Sequence, residues 1–227
     1  MTGQSAPQVP VVAIDGPGGS GKGTVSTAVA RHFGWHYLDS GAIYRVLGYL
    51  AHVNQVREDD VPGLVALTHD LDIKFQEQGI VLAGQNVEGL IRTEGAADRA
   101  SRISPIPEVR RSLLEWQRKQ ARPPGLVSDG RDMGSVVFPD AVCKLFITAN
   151  PEKRAERRYK QLREKGFDVK IENLLREIAE RDKRDAMRKA SPLKPAEDAT
   201  VIDTTDMSIS NVVSVVLEEV RRCLKIP

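Results

Sequence analysis

The spacing of apolar positions along this chain changes several times, and each change predicts an element. Val11-Val12-Ala13-Ile14 is a continuous apolar run between Pro10 and Gly16, as expected of a buried parallel strand. Val25, Val29 and Phe33, with Ala28 and Ala30 beside them, form a helical stripe that ends at Gly34. Trp35 to Leu38 predicts a second strand, stopped by Asp39-Ser40-Gly41, and residues 42–53 return to helical spacing. Strand, loop, helix and strand in this order open a parallel α/β sheet.

Near residue 71 the period drops to two. Leu71, Ile73 and Phe75 alternate with Asp72, Lys74 and Gln76; Gln78-Gly79 makes a turn, and Ile80-Val81-Leu82 leads to Gly84. The pattern predicts a small antiparallel hairpin with one wet face. Because α/β texture surrounds it, it reads as an insertion and not as a separate domain. Residues 108–121 are helical again, and Pro123-Pro124-Gly125 breaks the chain. Leu126-Val127-Ser128 predicts a strand running into Asp129-Gly130-Arg131-Asp132. Cys143 to Thr148 predicts another, with Lys144 its one charge. Residues 151–165 and 171–190 read as two charged helices split by Lys165-Gly166-Phe167. Thr200-Val201-Ile202-Asp203 is a last strand, and an amphipathic helix over 208–224 closes the chain.

Composition narrows the class. The length of 227 residues fits one α/β domain with an inserted piece, or two small domains; the hairpin's place favours a single domain over 1–227. Apolar residues at 41% and charged residues at 28% fit a soluble globular protein. A net charge of +2 argues against a nucleic-acid binder that relies on bulk positive charge. Cys143 and Cys223 form no CxxC and have no histidine at metal-ligand spacing, so they read as small buried hydrophobes in a reducing cytosol. Residues 1–9 read as a frayed polar tail, with no signal-peptide core, and no segment approaches a membrane span.

Gly16-Pro17-Gly18-Gly19-Ser20-Gly21-Lys22-Gly23-Thr24 carries the strongest chemistry. A phosphate loop needs glycines that let backbone N–H groups turn inward, a lysine for the outer phosphates, and a helix start. This stretch supplies all three between a strand and a helix. The usual pattern places Ser or Thr directly after the lysine; here Gly23 intervenes, and the hydroxyl that helps hold Mg²⁺ or a phosphate moves to Thr24. The same glycines also satisfy the dinucleotide pattern G-x-G-x-x-G, with Asp39 near the ribose-binding position. Lys22 decides for the phosphate loop, because a lysine at a helix start opposes the dipole unless a polyanion offsets it.

Other charged groups gather at the same sheet edge. Ser40 and Arg45 follow the second strand, and Asp129, Arg131 and Asp132 follow a later one. Strands of an open parallel sheet present ligands at their carboxyl ends. Ser40 reads equally as a helix cap, and Asp129, Arg131 and Asp132 read alternatively as an internal salt-bridge cluster. Arg154, Arg157 and Arg158 lie within two turns of one helix; Arg181, Arg184 and Arg188 share a face of the next, with Asp185 within a turn of Arg181 and Arg188. Arginine's rigid fork suits phosphate oxygens better than lysine does. No Ser–His–Asp set is apparent, and phosphoryl transfer to an anionic acceptor needs positioning and charge neutralisation more than a general base. On residues alone, kinases for UMP, AMP or a non-nucleotide acceptor stay open, as does a non-catalytic nucleotide-binding module.

The ending Gly21-Lys22-Gly23-Thr24 is that of nucleoside monophosphate kinases, and within them the chain resembles the bacterial cytidylate kinases. The resemblance rests on Ile14-Asp15-Gly16-Pro17, Leu38-Asp39-Ser40-Gly41-Ala42-Ile43-Tyr44-Arg45, Ile91-Arg92-Thr93, Val109-Arg110, Asp129-Gly130-Arg131-Asp132-Met133-Gly134, Glu180-Arg181-Asp182 and Arg184-Asp185, from residue 11 to about 205. It implies an α/β P-loop fold of three layers with a central parallel sheet. It implies an acceptor-binding region at about 40–120, a small antiparallel insert at about 71–98 and a helical lid at about 151–168. It implies phosphoryl transfer from ATP to CMP or dCMP with Mg²⁺, in the cytoplasm. The ion would be held mainly by nucleotide phosphates and water, with Thr24 the nearby protein hydroxyl. The chain is expected to be a monomer without nucleic-acid or membrane partners.

Residues 16–24 would bind ATP. Ser40, Arg110, Asp132 and Arg188 would form the cytosine pocket; Ser101, Arg181 and Asp185 would surround the sugar; Arg45 and Arg131 would hold the acceptor phosphate. Lys22, Arg131, Arg188 and the lid's Arg154 or Arg158 would neutralise charge during transfer. The base chemistry agrees: cytosine offers an exocyclic amine donor to Asp132, whereas uracil would set a carbonyl against it.

Overall fold

A computed structural model describes residues 9–76, 78–164, 166–188 and 191–226, apart from the side chain of Glu94. Residues 1–8 of the expected tail, Lys165 in the expected helix break and residues 189–190 of the second charged helix lie outside the described residues. Five parallel strands form the main sheet. They are β1 (Val11–Asp15), β2 (His36–Asp39), β6 (Leu126–Gly130), β7 (Cys143–Thr148) and β8 (Thr200–Asp203), ordered β2-β6-β1-β7-β8. The remaining strands, β3 (Ile73–Gln76), β4 (Gly79–Leu82) and β5 (Gln85–Asn86), make a separate antiparallel sheet. The helices are α1 (Lys22–Phe33), α2 (Ser40–Val53), α3 (Val61–Ala66), α4 (Glu88–Ile91), α5 (Glu94–Ile103), α6 (Pro107–Arg118), α7 (Pro151–Glu164), α8 (Ile171–Ala186) and α9 (Ile209–Leu224). A π-helical turn over Met133–Val137 follows β6.

The alternation of side chains along β1 explains the three layers. Val11 and Ala13 enter one core with Leu38, Leu126 and the apolar stripes of α2, α5 and α6. Val12 and Ile14 enter the other with Val127, Leu145, Ile147 and the stripes of α1 and α9. Val12, Ala13 and Ile14 are fully buried, so the continuous apolar run is what a strand covered on both faces requires. No helix among the described residues is long and apolar enough to cross a membrane.

Two expectations change in detail. The hairpin is a three-stranded sheet, because β4 also pairs with Gln85–Asn86; only two polar residues make that last strand, and no periodicity marks it. Its buried face is Ile73 and Ile80, and Phe75 packs edge-on against Tyr37 of β2, with centroids 6.2 Å apart. The second charged helix ends at Ala186 and not at 190. Pro192 lies a few residues on, where a helix cannot continue, and the Leu193 N–H returns to the Asp185 carbonyl at 3.0 Å.

Candidate active site

β1 delivers the chain to Gly16 at the carboxyl edge of the sheet. A Cβ at Gly16 would stand 2.0 Å from the Ile147 carbonyl oxygen of β7, so the position accepts no side chain. Gly21, left-handed at φ 89°, precedes α1, and no side chain caps that helix. Its first-turn N–H groups and dipole therefore favour an anion. Lys22 opens the helix, with Nζ donating to the Pro17 carbonyl at 3.2 Å. Burial, then the nearby Arg131 charge, holds the Lys22 pKa well below the ordinary lysine value. Asp129 beside it is pushed up, by burial and by Asp39. The Tyr37 hydroxyl donates to Asp129 Oδ2 at 2.8 Å and fixes that carboxylate.

Arginines cover the loop from the other side. A Cβ at Gly18 would meet Arg131 Nη2 at 3.4 Å and Arg181 Nη1 at 3.6 Å. Two guanidinium groups thus stand directly over a backbone suited to phosphate. Arg131 Nε donates to Asp185 Oδ2 at 2.9 Å, and Arg188 pairs with the same carboxylate. Burial works against the Asp185 charge, yet Arg131 and Arg188 override it and hold its pKa below the ordinary carboxylate value. Arg181 is lowered to about 10, by burial and by Arg131. Its Nε is buried without a hydrogen-bond partner. Cations crowded this way are poised for an anion of several charges.

Beyond the arginines lies a pocket for a flatter group. Arg110 forms an ion pair with Asp132, and it also donates to Ser191 Oγ at 3.1 Å, the Ser104 carbonyl at 3.2 Å and the Tyr44 hydroxyl at 3.3 Å. Ser101 Oγ is buried there without a partner. Asp39, and not Ser40, caps α2, accepting the Ala42 N–H at 2.9 Å; the Ser40 hydroxyl is thereby left for the pocket. Asp39 also pairs with Arg92 at 2.9 Å.

One cleft of about 310 Å³ joins these groups. Of the residues the sequence singled out, Gly18, Gly19, Lys22, Gly23, Ser40, Arg45, Ser101, Arg110, Arg131, Asp132, Arg158, Arg181 and Arg188 line it. Gly16, Pro17, Ser20, Gly21, Thr24, Arg154 and Asp185 do not. Asp185 acts behind the wall through Arg131 and Arg188. Arg154 is buried, with Nη1 donating to the Gly18 carbonyl at 3.1 Å and Nε to the Ala149 carbonyl at 2.9 Å, and it pairs with Asp182. Arg157, about 100° around the helix from Arg158, turns to Thr204 and Ser20. Arg184 does not line the cleft either; it lies 4.0 Å from Asp98 on the outside.

Tyr44 and Arg92, which the sequence offered only as parts of motifs, also line the cleft. So do Asp39, read above only as the acid of the dinucleotide alternative, and Asp129, read above only within the charged group after β6; both stand at the carboxyl ends of strands. A second cavity of about 330 Å³, lined by Lys153, Glu156, Arg157, Lys160 and Thr205 to Ser208, opens beside the loop between α7 and the start of α9.

A model of the cytidylate kinase family matches residues 12–222. A cytidylate kinase of Aeromonas salmonicida is 52% identical over 92% of this chain and 92% of its own length. One from Shewanella denitrificans is 48% identical over 94% of this chain and 97% of its own. Among solved structures, an uncharacterised protein from Eubacterium ventriosum covers 94% of the chain and is itself covered over 98%, with a TM-score of 0.51 and 13% identity, a likeness of fold alone.

Proposed function

This chain belongs to the cytidylate kinase family, and from that premise we infer that it transfers the terminal phosphoryl group of ATP to CMP or dCMP, giving ADP and CDP or dCDP. The observation that carries the reading is the pair of guanidinium groups, Arg131 and Arg181, standing over Gly18 beside the charge-starved Lys22. Two phosphate chains meeting there would be neutralised from both sides, which is most of what phosphoryl transfer asks of a protein.

In this reading residues 16–24 cradle the ATP phosphates and Lys22 follows the transferring group. Arg45 and Arg131 hold the acceptor phosphate, Ser101 and Arg181 surround the sugar, and Asp185 holds Arg131 and Arg188 from behind the cleft wall. Ser40, Arg110, Asp132 and Arg188 receive cytosine: Asp132 accepts from the exocyclic amine, and the two arginines donate to the ring nitrogen and carbonyl. Uracil would leave Asp132 facing a carbonyl, at a cost of about 2–3 kcal/mol. The cavity between α7 and α9 is assigned to the adenine base. The helix-turn over about 151–168 acts as the lid: Arg158 reaches the cleft directly, and Arg154 acts on the loop through the Gly18 carbonyl. Closure excludes water, which prevents hydrolysis of ATP.

Mg²⁺ is proposed as the cofactor. Among the described residues no cluster of three or more His, Cys, Asp or Glu side chains could hold a metal. The Asp39 and Asp129 carboxylates line the cleft and would face an ion held mainly by phosphate oxygens and water, while Thr24, the hydroxyl that the sequence offered, stands outside the cleft lining. When bound, Mg²⁺ would spread the charge of the transferring phosphate. A cytoplasmic monomer without nucleic-acid or membrane partners completes the proposal. A coupled ADP-release assay with CMP, dCMP, UMP and AMP tests it: CMP or dCMP should be turned over well ahead of the rest, and equal turnover of UMP would refute the base assignment.

A further inference from the structure

The turn that follows β6 is capped from a distance. Asp132 occupies the N-cap position of the Met133–Val137 turn, yet its side chain makes no capping bond. An aspartate there ordinarily accepts an N–H two or three residues ahead. Here the Met133 N–H donates to Asp15 Oδ1 and the Gly134 N–H to Asp15 Oδ2, each at 2.8 Å. Asp15 is 118 residues from Met133 along the chain, at the end of β1, immediately before the phosphate loop. Strand pairing fixes its backbone on both sides, against Gly130 of β6 and Phe146 of β7. Asp132, relieved of the cap, pairs with Arg110 at the cleft wall.

We propose that Asp15 is a positioning residue for base selection: by capping the Met133–Val137 turn in place of Asp132, it keeps the Asp132 carboxylate aimed into the cleft and fixes that aim to the strand bearing the phosphate loop. This rests on the reading in which Asp132 receives cytosine. Two neighbouring N–H groups need two acceptor atoms, and only a carboxylate of this length presents both. If one N–H were released, the nearest alternative acceptor would be Asp132 itself, which begins the turn. Asp132 would then be drawn back towards its own helix and away from the base. The site is also an expensive place for a carboxylate, as burial, chiefly, raises the Asp15 pKa to about 6.

The test uses the purified full chain with Asp15→Asn, Asp15→Ser and Asp132→Asn. The asparagine keeps the size of the side chain but presents one acceptor, and sets an NH₂ against the other N–H. kcat and KM are measured for CMP and UMP, with KM for ATP alongside. Asp15→Asn is expected to lower the CMP-over-UMP ratio of kcat/KM about tenfold, through a higher KM for CMP, while KM for ATP stays within about twofold. A fall in kcat for both acceptors at an unchanged ratio would overturn the proposal, since that is what a merely structural role gives. If Asp132→Asn also leaves the ratio unchanged, the fault lies in the base assignment; if Asp132→Asn collapses the ratio and Asp15→Asn does not, it lies in the positioning claim. Asp15→Ser, a short single acceptor, replaces Asp15→Asn if that protein does not fold, with the same split expected. Failure of both to fold would overturn the proposal by assigning Asp15 to stability.

Discussion

Asp185 Oδ2 accepts from Arg131 Nε at 2.9 Å, with the carboxylate side chain 1% exposed and the guanidinium 15% exposed. The pair ties α8 to the loop after β6, and Arg188 leans on the same carboxylate. Asp185→Asn would leave two arginines short of counter-charge in a buried place. Removing one partner of such a pair costs about 3–5 kcal/mol. The variant should therefore melt well below the parent. Because the orphaned arginines would accept an anion instead, added CMP should recover more of the variant's lost melting temperature than it adds to the parent. Equal shifts with CMP in both proteins would contradict this.

Lys22 makes a prediction about protons. Its pKa is depressed in the free protein, first by burial and then by Arg131. Between that depressed value and the ordinary lysine value the unfolded chain binds the extra proton, so stability of the free protein rises with pH across this window. A bound triphosphate favours the charged lysine and reverses the shift. ATP binding at about pH 8 should thus take up protons, seen by calorimetry as a heat that varies with the ionisation enthalpy of the buffer. Lys22→Met should abolish the dependence and most phosphotransfer, and leave CMP binding largely intact. Proton release on binding of ATP to the parent would contradict the assignment.

The parts of this site that were legible in the sequence are those set by local rules. β7 occupies the residues that its apolar run marked, because a strand inside the sheet is largely buried on both faces, and β8, at the sheet edge with only Ile202 buried, was marked by a shorter run. The loop was legible because glycine, lysine and a helix start are contiguous. What stayed hidden depends on direction or distance. Arg154, Arg157 and Arg158 look alike in a list of residues, but the helix turns each by about 100° per position, and they end at Asp182, at Thr204 and at the cleft. Ser40 was a fair candidate for a cap until Asp39 was found to take the N–H. Asp15 capping a turn after another strand leaves no periodic trace at all.

Asp132 bears on specificity in the acceptor assay. With cytosine as acceptor its carboxylate gains a donor; with uracil it faces a carbonyl. The kcat/KM ratio of CMP to UMP should be about a hundredfold in the parent. Asp132→Asn can offer uracil a donor from its amide, so it should lower CMP turnover and raise that of UMP relative to it. Loss of both activities in proportion would point to folding and not to base choice.

Glu88 connects the antiparallel insert to the cleft, which gives that insert a measurable role. Its Oε2 accepts the Ile80 N–H of β4 at 3.2 Å, and its Oε1 accepts from Arg92 Nε at 2.7 Å. Arg92 in turn reaches Asp39 at 2.9 Å. The small sheet, the short helix α4 and the cap of α2 thus share one chain of charged contacts. Arg92 and Glu88 are each more than a third exposed, so water screens the pair and it is worth at most about 1 kcal/mol. Glu88→Ala should accordingly leave the melting temperature nearly unchanged. Arg92 would lose one of its two anchors and sample more positions at the cleft wall, which costs binding order more than fold. A rise in KM for CMP of about threefold, with kcat and KM for ATP nearly constant, is the expected result in steady-state assays. The double variant Glu88→Ala/Arg92→Ala should then raise KM little beyond Arg92→Ala alone, because both changes cut the same connection. Fully additive effects on KM would show that Glu88 and Arg92 act separately.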